Sequence, residues 1–256
     1  MTGDDHLLAR DLAGQAGQRL LELRAQGGDP DVLRKAGDRL SHEFLTAALA
    51  SQRPGDVVLS EEGADNPARL GGRRVWIVDP LDGTREFGEP GRSDWAVHVA
   101  LWERTGDGSG DLTAGAVALP AQGTVLSTAE PPPGPPGDAA AAPLRIVVSR
   151  SRPPSFVRNI SGLINAELVP LGSAGAKVAA VICGEVDAYV HGGGFYEWDT
   201  AAPVAVARAA GLHASRIDGS ALAYNQPDLL MPDILVCRPA VAGILLRAIR
   251  EVTHAS

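Results

Sequence analysis

Trp76-Ile77-Val78-Asp79-Pro80-Leu81-Asp82-Gly83-Thr84 is the stretch from which the fold is best approached. The apolar run that begins at Val75 predicts a short buried strand. The strand ends in two carboxylates, Asp79 and Asp82, with Pro80 between them and Gly83 after them. Paired carboxylates at such a turn can hold a hard cation, but Asp-Pro and Asp-Gly are also ordinary turn dipeptides. Taken alone, the stretch leaves a metal site and a plain turn equally open.

Composition places the chain among soluble globular proteins and disfavours nucleic acid as a partner. The 256 residues suffice for one large or two small domains with a substantial core. Hydrophobic residues make up 45% and charged residues 21%, and the net charge is −8 with no basic stripe. An acidic protein can still bind a small phosphorylated molecule when metal ions supply the positive charge.

The cysteines and the N-terminal segment predict a cytoplasmic protein. Cys183 and Cys237 stand far apart and outside any CxxC spacing. The segment Met1–Asp5 is acidic and does not have the pattern of a signal peptide. No apolar run approaches the length of a membrane span, so we expect no membrane association.

Hydrophobic periodicity predicts helices layered on sheets, with an internal boundary at residues 130–143. Leu8, Leu12, Ala16 and Leu20 predict a first helix that ends at Gly27-Gly28, and a second helix is predicted to follow Asp38. Proline is too dense in 130–143 for a helix or central strand. We therefore predict an N-terminal subdomain, 1–143, with the larger sheet, and a C-terminal α/β subdomain, 144–256. Further strands are predicted at 57–59, 95–102, 114–119, 124–128, 145–149, 168–171, 186–191 and 234–237, and further helices at 153–165, 174–183, 199–210 and 241–252.

Carboxylates at four places share one property, because each stands where a strand ends or a helix begins. They are Asp38, Glu61, the pair Asp79 and Asp82, and Asp199. Sheet folds place ligand sites at strand ends, so these side chains could meet. Asp38 and Asp199 could instead be helix caps and Glu61 a solvated acid, but the joint pattern favours a cluster. Three or more acids together need neutralising cations, and oxygen ligands suit Mg²⁺.

Two small-residue segments are candidates for binding an anion. Gly83-Thr84 follows the carboxylates, and the amides of a helix that starts there would hold a phosphate. Gly172-Ser173-Ala174-Gly175-Ala176-Lys177 opens another predicted helix but lacks the Gly-Lys-Ser/Thr ending of a P-loop. His98 and His191 lie in apolar strand patterns, and we expect them to be core or surface histidines rather than ligands.

Three motifs in this order resemble the Mg²⁺-dependent, lithium-sensitive phosphatase superfamily that includes the inositol monophosphatases. They are the stretch 76–84, the pair Glu61-Glu62, and Trp198-Asp199-Thr200-Ala201-Ala202. The resemblance covers nearly the whole chain. It implies a layered α/β fold, an alternating α-β-α-β-α sandwich with the site between the two subdomains. It also implies two or three Mg²⁺ ions and a homodimer.

The same resemblance implies a role for each candidate residue. Glu61, Asp79, Asp82, Asp199 and the carbonyl of Leu81 would ligate the ions, with Asp79 bridging two of them. Thr84 and Asp38 would orient the attacking water with help from Glu61, and the amides of Gly83 and Thr84 would hold the phosphate. The family usually shows a Thr-x-x-Asp-like approach to Asp38, where this chain has Lys35-Ala36-Gly37-Asp38. Gly172, Ser173 and Lys177 would border the sugar or nucleotide.

Within the superfamily, the motifs look most like CysQ-type 3′(2′),5′-bisphosphate nucleotidases. Inositol-specific members tend to carry an acid where this chain has Gly192-Gly193-Gly194. The activity implied is hydrolysis of the 3′-phosphate of 3′-phosphoadenosine 5′-phosphate to AMP, linked to sulfate assimilation. Inositol 1-phosphate or fructose 1,6-bisphosphate as substrate, a phosphatase with an aspartyl nucleophile, and a non-catalytic nucleotide or metal sensor remain alternatives.

Overall fold

The computed structural model describes residues 4–135, 143–151 and 153–254. The helices are α1 Asp5–Ala25, α2 Pro30–Gln52, α3 Thr84–Gly88, α4 Ser155–Ile164, α5 Ala174–Ile182, α6 Glu197–Ala209 and α7 Pro239–His254. The strands are β1 Val57–Ser60, β2 Arg74–Asp82, β3 Ala96–Arg104, β4 Gly110–Leu119, β5 Thr124–Ser127, β6 Arg145–Ser149, β7 Glu167–Leu171, β8 Ala188–His191, β9 Phe195–Tyr196, β10 His213–Ser215, β11 Leu230–Met231 and β12 Ile234–Cys237.

The predicted central strand is β2, which is buried on both faces. Val75 and Ile77 belong to the core shared with α5 and α6. Trp76 and Val78 belong to the core shared with α1 and α2. Alternate side chains of a strand point to opposite faces, so a continuous apolar run is what a strand covered on both faces requires.

Two five-stranded sheets carry the fold. The first has the order β1-β2-β3-β4-β5, in which β1 and β2 are parallel and the other neighbours antiparallel. The second has the order β10-β12-β8-β6-β7, with β6 parallel to both β7 and β8. Helices α1 and α2 cover the first sheet, α5 and α6 share a core with both sheets, and α4 and α7 cover the second. This layer order confirms the predicted α-β-α-β-α sandwich.

The prediction that a helix starts near Asp38 is wrong. Helix α2 begins at Pro30, and the side chain of Asp29 caps it by accepting the N–H groups of Asp31 and Val32. Asp38 therefore lies inside α2. Gly37 does not end the helix. Instead, it allows α2 to pack closely against α3, since a Cβ at this position would lie 2.8 Å from the ring of Phe87.

The proline-rich boundary has no regular structure from Glu130 to Pro135, as predicted, and the rest of 130–142 lies outside the described residues. The division into subdomains at this boundary stays a prediction. No helix within the described ranges is long and apolar enough to span a bilayer.

Candidate active site

A β-bulge at the end of β2 brings its two carboxylates together. Asp79 pairs with His98 and Asp82 with Ala96, with a register shift between these pairs. Pro80 lies in the bulge, where the absence of an N–H group is tolerated. Ligand atoms of Asp79, Asp82 and Asp199 all lie within 4.8 Å of one another. The structure thus joins three of the predicted carboxylates in one group.

One side of the site is crowded with negative charge. We call it the acid side and define it by Asp79, Glu61 and Asp199. Burial and the charges of Glu61, Asp82 and Asp199 hold the pKa of Asp79 well above its usual range. Burial and then repulsion from Asp82 raise the pKa of Asp199 to about 6. Repulsion of this kind marks a place where a cation would be stabilised.

Glu61 lies just beyond β1, and its carboxyl group adds to the acid side from the rim. The residue as a whole is exposed. Its carboxyl group is nevertheless withdrawn from water, and this, followed by repulsion from Asp199, raises its pKa to about 7. Glu61 stands outside the group of three carboxylates, although it interacts with all of them.

Asp82 faces a different environment, which we call the donor side and define by His98, Ser173, Gly175 and Lys177. Oδ2 of Asp82 accepts hydrogen bonds from Ser173 Oγ at 2.5 Å and from the amide of Gly175 at 2.7 Å. Burial alone would raise the pKa of Asp82, but His98, Lys177 and Ser173 together lower it to about 2. Among the described residues no hydrogen bond reaches Oδ1, so this atom is available to a ligand.

The donor set fits a hard divalent cation. Asp79, Asp82 and Asp199 offer only carboxylate oxygens, the ligands that Mg²⁺ and similar ions prefer. The backbone orients two of them, because the amide of Leu81 donates to Asp79 Oδ1 at 3.0 Å and the amide of Tyr196 donates to Asp199 Oδ2 at 2.6 Å. Burial and mutual repulsion raise the pKa values of Asp79 and Asp199, and a cation between them would relieve that repulsion.

Asp38 reaches the site from the interior of α2 and meets Thr84 at the start of α3. Thr84 Oγ1 lies 3.2 Å from Asp38 Oδ1 and 2.9 Å from the carbonyl oxygen of Leu81. The hydroxyl has one proton, so it can donate to only one of these acceptors at a time. Burial and then the charge of Glu62 raise the pKa of Asp38 to about 6. Gly83 precedes Thr84 with a φ of 82°, a left-handed conformation that glycine adopts without strain.

The loop Gly172–Lys177 lies across the site from Thr84. Ser173 caps α5, accepting the amide of Ala176 at 3.0 Å, while its hydroxyl donates to Asp82. Lys177 is buried and donates to the carbonyl oxygens of Gly172 at 3.1 Å and Ser173 at 2.7 Å. Lys177 therefore holds the loop in shape as well as lying near the site.

A cavity of about 760 Å³ opens beside the carboxylates. Its walls include most of the predicted site residues, together with several that sequence reasoning did not single out. Predicted residues in its walls are Asp82, Gly83, Thr84, Gly172, Ser173, Lys177 and Asp199; additional ones include Arg85, Ser149 and Tyr189. Gly192–Gly194 line the same cavity.

His98 was missed as a neighbour of the site. It is a core residue with 0% exposure, as its strand pattern indicates. Its Nε2 lies 3.3 Å from Asp82 Oδ2, and its Nδ1 lies 3.9 Å from Asp79 Oδ2. The sequence offered one signal for this contact, the pairing register of the strands, because any strand paired with β2 places one of its residues opposite Asp79.

Comparison with known families gives a match over almost the whole chain. The model of the inositol monophosphatase family matches residues 9–254. A 3′-phosphoadenosine 5′-phosphate phosphatase of Mycobacterium leprae is 52% identical over 255 residues, which cover 97% of this chain and 94% of that protein. The 3′(2′),5′-bisphosphate nucleotidase CysQ of Escherichia coli K12 is 30% identical, covering 84% of this chain and 91% of that protein.

A solved structure supports the fold independently. Inositol monophosphatase II of Staphylococcus aureus superposes with a TM-score of 0.81 and covers 97% of this chain and 96% of its own. At 21% identity this likeness concerns the fold.

Proposed function

Since the chain belongs to the inositol monophosphatase family, we propose that it is a divalent-metal-dependent phosphatase that hydrolyses the 3′-phosphate of 3′-phosphoadenosine 5′-phosphate to give AMP and phosphate. The observation that carries the proposal is the gathering of Asp79, Asp82 and Asp199 within 4.8 Å beside a large cavity. The choice of substrate is supported by the 52% identity to a phosphatase of that name.

The acid side would hold the metal. Asp79, Asp82 and Asp199 would ligate it, with Glu61 and the carbonyl of Leu81 completing the set. We propose Mg²⁺ as the ion, with two or three bound in the working enzyme. A bound cation lowers the pKa of a water molecule and draws charge from the phosphoryl oxygens.

Thr84 and Asp38 would orient the attacking water. Asp38 Oδ1 can accept the Thr84 proton, which leaves the Thr84 oxygen lone pairs free to accept a hydrogen bond from water. Glu61, at the rim, has a carboxyl group placed to take up a proton. Because water attacks directly, no covalent phosphoenzyme forms.

The phosphoryl group would be held by backbone amides. The first amides of α3, beginning at Thr84, have no carbonyl partner within their own helix. Together with the amide of Gly83 they lie at the wall of the cavity. Positioning and charge supply most of the catalysis in phosphoryl transfer.

The cavity favours a nucleotide over an inositol phosphate. Its volume of about 760 Å³ accommodates a ligand of nucleotide size. Gly192–Gly194, which line it, offer no side chain to bind the hydroxyls of an inositol ring. We propose that Gly172, Ser173 and Lys177 border the sugar or nucleotide.

The test is phosphate release measured side by side from 3′-phosphoadenosine 5′-phosphate, inositol 1-phosphate and fructose 1,6-bisphosphate with Mg²⁺, and again with EDTA. We expect the nucleotide to have the highest kcat/KM and EDTA to abolish turnover. A higher kcat/KM for another substrate would reassign the specificity. Absence of turnover with all three would favour a nucleotide or metal sensor, and a trapped phospho-aspartate would overturn the direct attack by water.

The remaining expectations are part of the same proposal. A homodimer would appear as twice the chain mass in light scattering. Cytoplasmic location and a link to sulfate assimilation stay predictions.

A further inference from the structure

We propose that His98 is a positioning residue that ties the ligand Asp82 on β2 to the start of α6, which carries the ligand Asp199. The inference rests on the proposed function, because it concerns how the metal ligands are held. It adds a residue that is not itself a ligand and does not line the cavity described above. Its evidence is the contacts of the two ring nitrogens.

Each nitrogen of His98 faces a different segment of the site. Nδ1 lies 3.1 Å from the carbonyl oxygen of Trp198, and a carbonyl can only accept, so Nδ1 donates. Nε2 lies 3.3 Å from Asp82 Oδ2 without forming a hydrogen bond, so this contact is an ion pair in which the ring carries both protons. Trp198 immediately precedes Asp199. One rigid ring therefore contacts both the end of β2 and the start of α6, and Trp198 lies 100 residues after His98.

The contact of His98 with Asp82 is made to Oδ2, the carboxylate oxygen that already accepts hydrogen bonds from the protein. Ser173 Oγ and the amide of Gly175 donate hydrogen bonds to the same Oδ2. With these contacts on Oδ2, Oδ1 accepts no hydrogen bond from the described residues and is left for a ligand. Outer contacts of this kind fix the orientation of metal-binding side chains.

The space around His98 fits this role. The side chain is fully buried. A Cβ at position 175 would lie 2.1 Å from Nε2 of His98 and 3.1 Å from Cδ2 of the same ring, so only glycine leaves room for the ring. Helix α5 thus approaches β3 as closely as it does because Gly175 faces His98.

The two links can be separated with amide side chains. The nitrogen of the shorter amide in His98→Asn takes the place of Nδ1 and keeps the bond to Trp198. The longer amide in His98→Gln reaches the place of Nε2 and keeps the contact with Asp82. His98→Leu keeps neither.

We expect His98→Leu to weaken Mg²⁺ binding, measured by titration calorimetry without substrate, by about 10- to 100-fold. Each amide variant should lose less, because each keeps one link. kcat at limiting Mg²⁺ should fall in the same order, while the KM for 3′-phosphoadenosine 5′-phosphate at saturating Mg²⁺ should change little. His213→Asn, a histidine bonded to Ser215 on the edge strand β10, is the matched control and should bind Mg²⁺ as the wild type does.

Circular dichroism of the metal-free variants separates this effect from unfolding. If His98→Leu does not fold, the amide pair still decides: wild-type Mg²⁺ affinity in both would overturn the proposal. Wild-type affinity in a folded His98→Leu would overturn it as well. If the wild type neither binds Mg²⁺ nor releases phosphate, the proposed function itself fails, and the role of His98 fails with it.

Discussion

The acid side and the donor side of the site treat two carboxylates of one turn in opposite ways. Asp79 and Asp82 are both buried and stand three residues apart. The pKa of Asp79 lies well above its usual range, whereas that of Asp82 is lowered to about 2. The difference arises because Asp79 faces other acids, while Asp82 faces His98, Lys177 and Ser173. The protein itself thus stabilises the charge of Asp82, whereas under the proposed function a cation would stabilise the charge of Asp79.

The largest expected effect comes from removing the acid at the centre of the acid side. Asp79→Asn should lower kcat at least about 1,000-fold and weaken Mg²⁺ binding, because a carboxylate that would ligate the metal loses its charge while the side-chain shape is kept. Phosphate release and titration calorimetry measure the two effects. Asp11→Asn, at an exposed position of α1, is the control for loss of one charge, and near-normal turnover of Asp79→Asn would refute the site.

Thr84, which is proposed to orient the attacking water together with Asp38, should give the next largest effect. Its substitution should leave the charges of the acid side and the donor side unchanged. Thr84→Val should reduce kcat about 100-fold, as expected for loss of a group that handles a proton, with little change in Mg²⁺ affinity. Thr84→Ser keeps the hydroxyl and should retain most of the activity. Equal activity of the valine and serine variants would show that the hydroxyl has no part in the reaction.

The two sides should also respond to pH in separate windows. The raised pKa values of Glu61, about 7, and Asp199, about 6, mean that the folded state binds protons more tightly than the unfolded chain. Metal-free protein should therefore lose stability as pH rises from about 4 to about 7 through these groups. Asp82 acts in the opposite direction, because its lowered pKa adds stability that is lost only as pH falls from about 4 to about 2.

Thermal unfolding from pH 5 to 8, with EDTA and with saturating Mg²⁺, measures the effect on the acid side. Because cations compete with protons, the increase in Tm caused by Mg²⁺ should grow over this range. An increase that is the same at pH 5 and pH 8 would contradict the assignment of Glu61 and Asp199 to the metal site.

The smallest effect is expected from Ser173, a single hydrogen-bond donor on the donor side. Ser173→Ala removes the cap of α5 and one of the bonds to Asp82, and should lower the free energy of unfolding by about 1 kcal/mol. Turnover should fall only a few-fold, because Gly175 and His98 still contact Asp82. Urea unfolding measures the change. A loss of turnover as large as that of Asp79→Asn would show that the two sides are not distinct.

Local signals in the sequence accounted for the turn of β2 and for most of the layered fold. The apolar run before Asp79 and the residues Pro80 and Gly83 act within one short segment, so their consequence is visible in the sequence. The start of α2 was also signalled, by Asp29 and Pro30, but Gly37 resembles a helix end. A glycine is needed at position 37 because the ring of Phe87 packs against it. Phe87 lies 50 residues further along the chain, so this contact is not visible from the sequence.

The contacts of the donor side with Asp82 could not be predicted from sequence, because His98 and the loop Gly172–Lys177 come from segments separate from the turn of β2. His98 looks like a core residue of an apolar strand, and its role depends on where Gly175 and Trp198 fall in space. Lys177 lies in a loop that resembles an anion-binding turn, yet its ammonium group donates to carbonyls of that loop. Such contacts are set by the packing of α5 and α6 against the sheet.

Anomalous scattering from a crystal of the protein with Mn²⁺ in place of Mg²⁺ tests the central claim most directly. A peak is expected between the carboxylates of Asp79, Asp82 and Asp199. Mn²⁺ bound only elsewhere, or no peak at these three carboxylates, would contradict it.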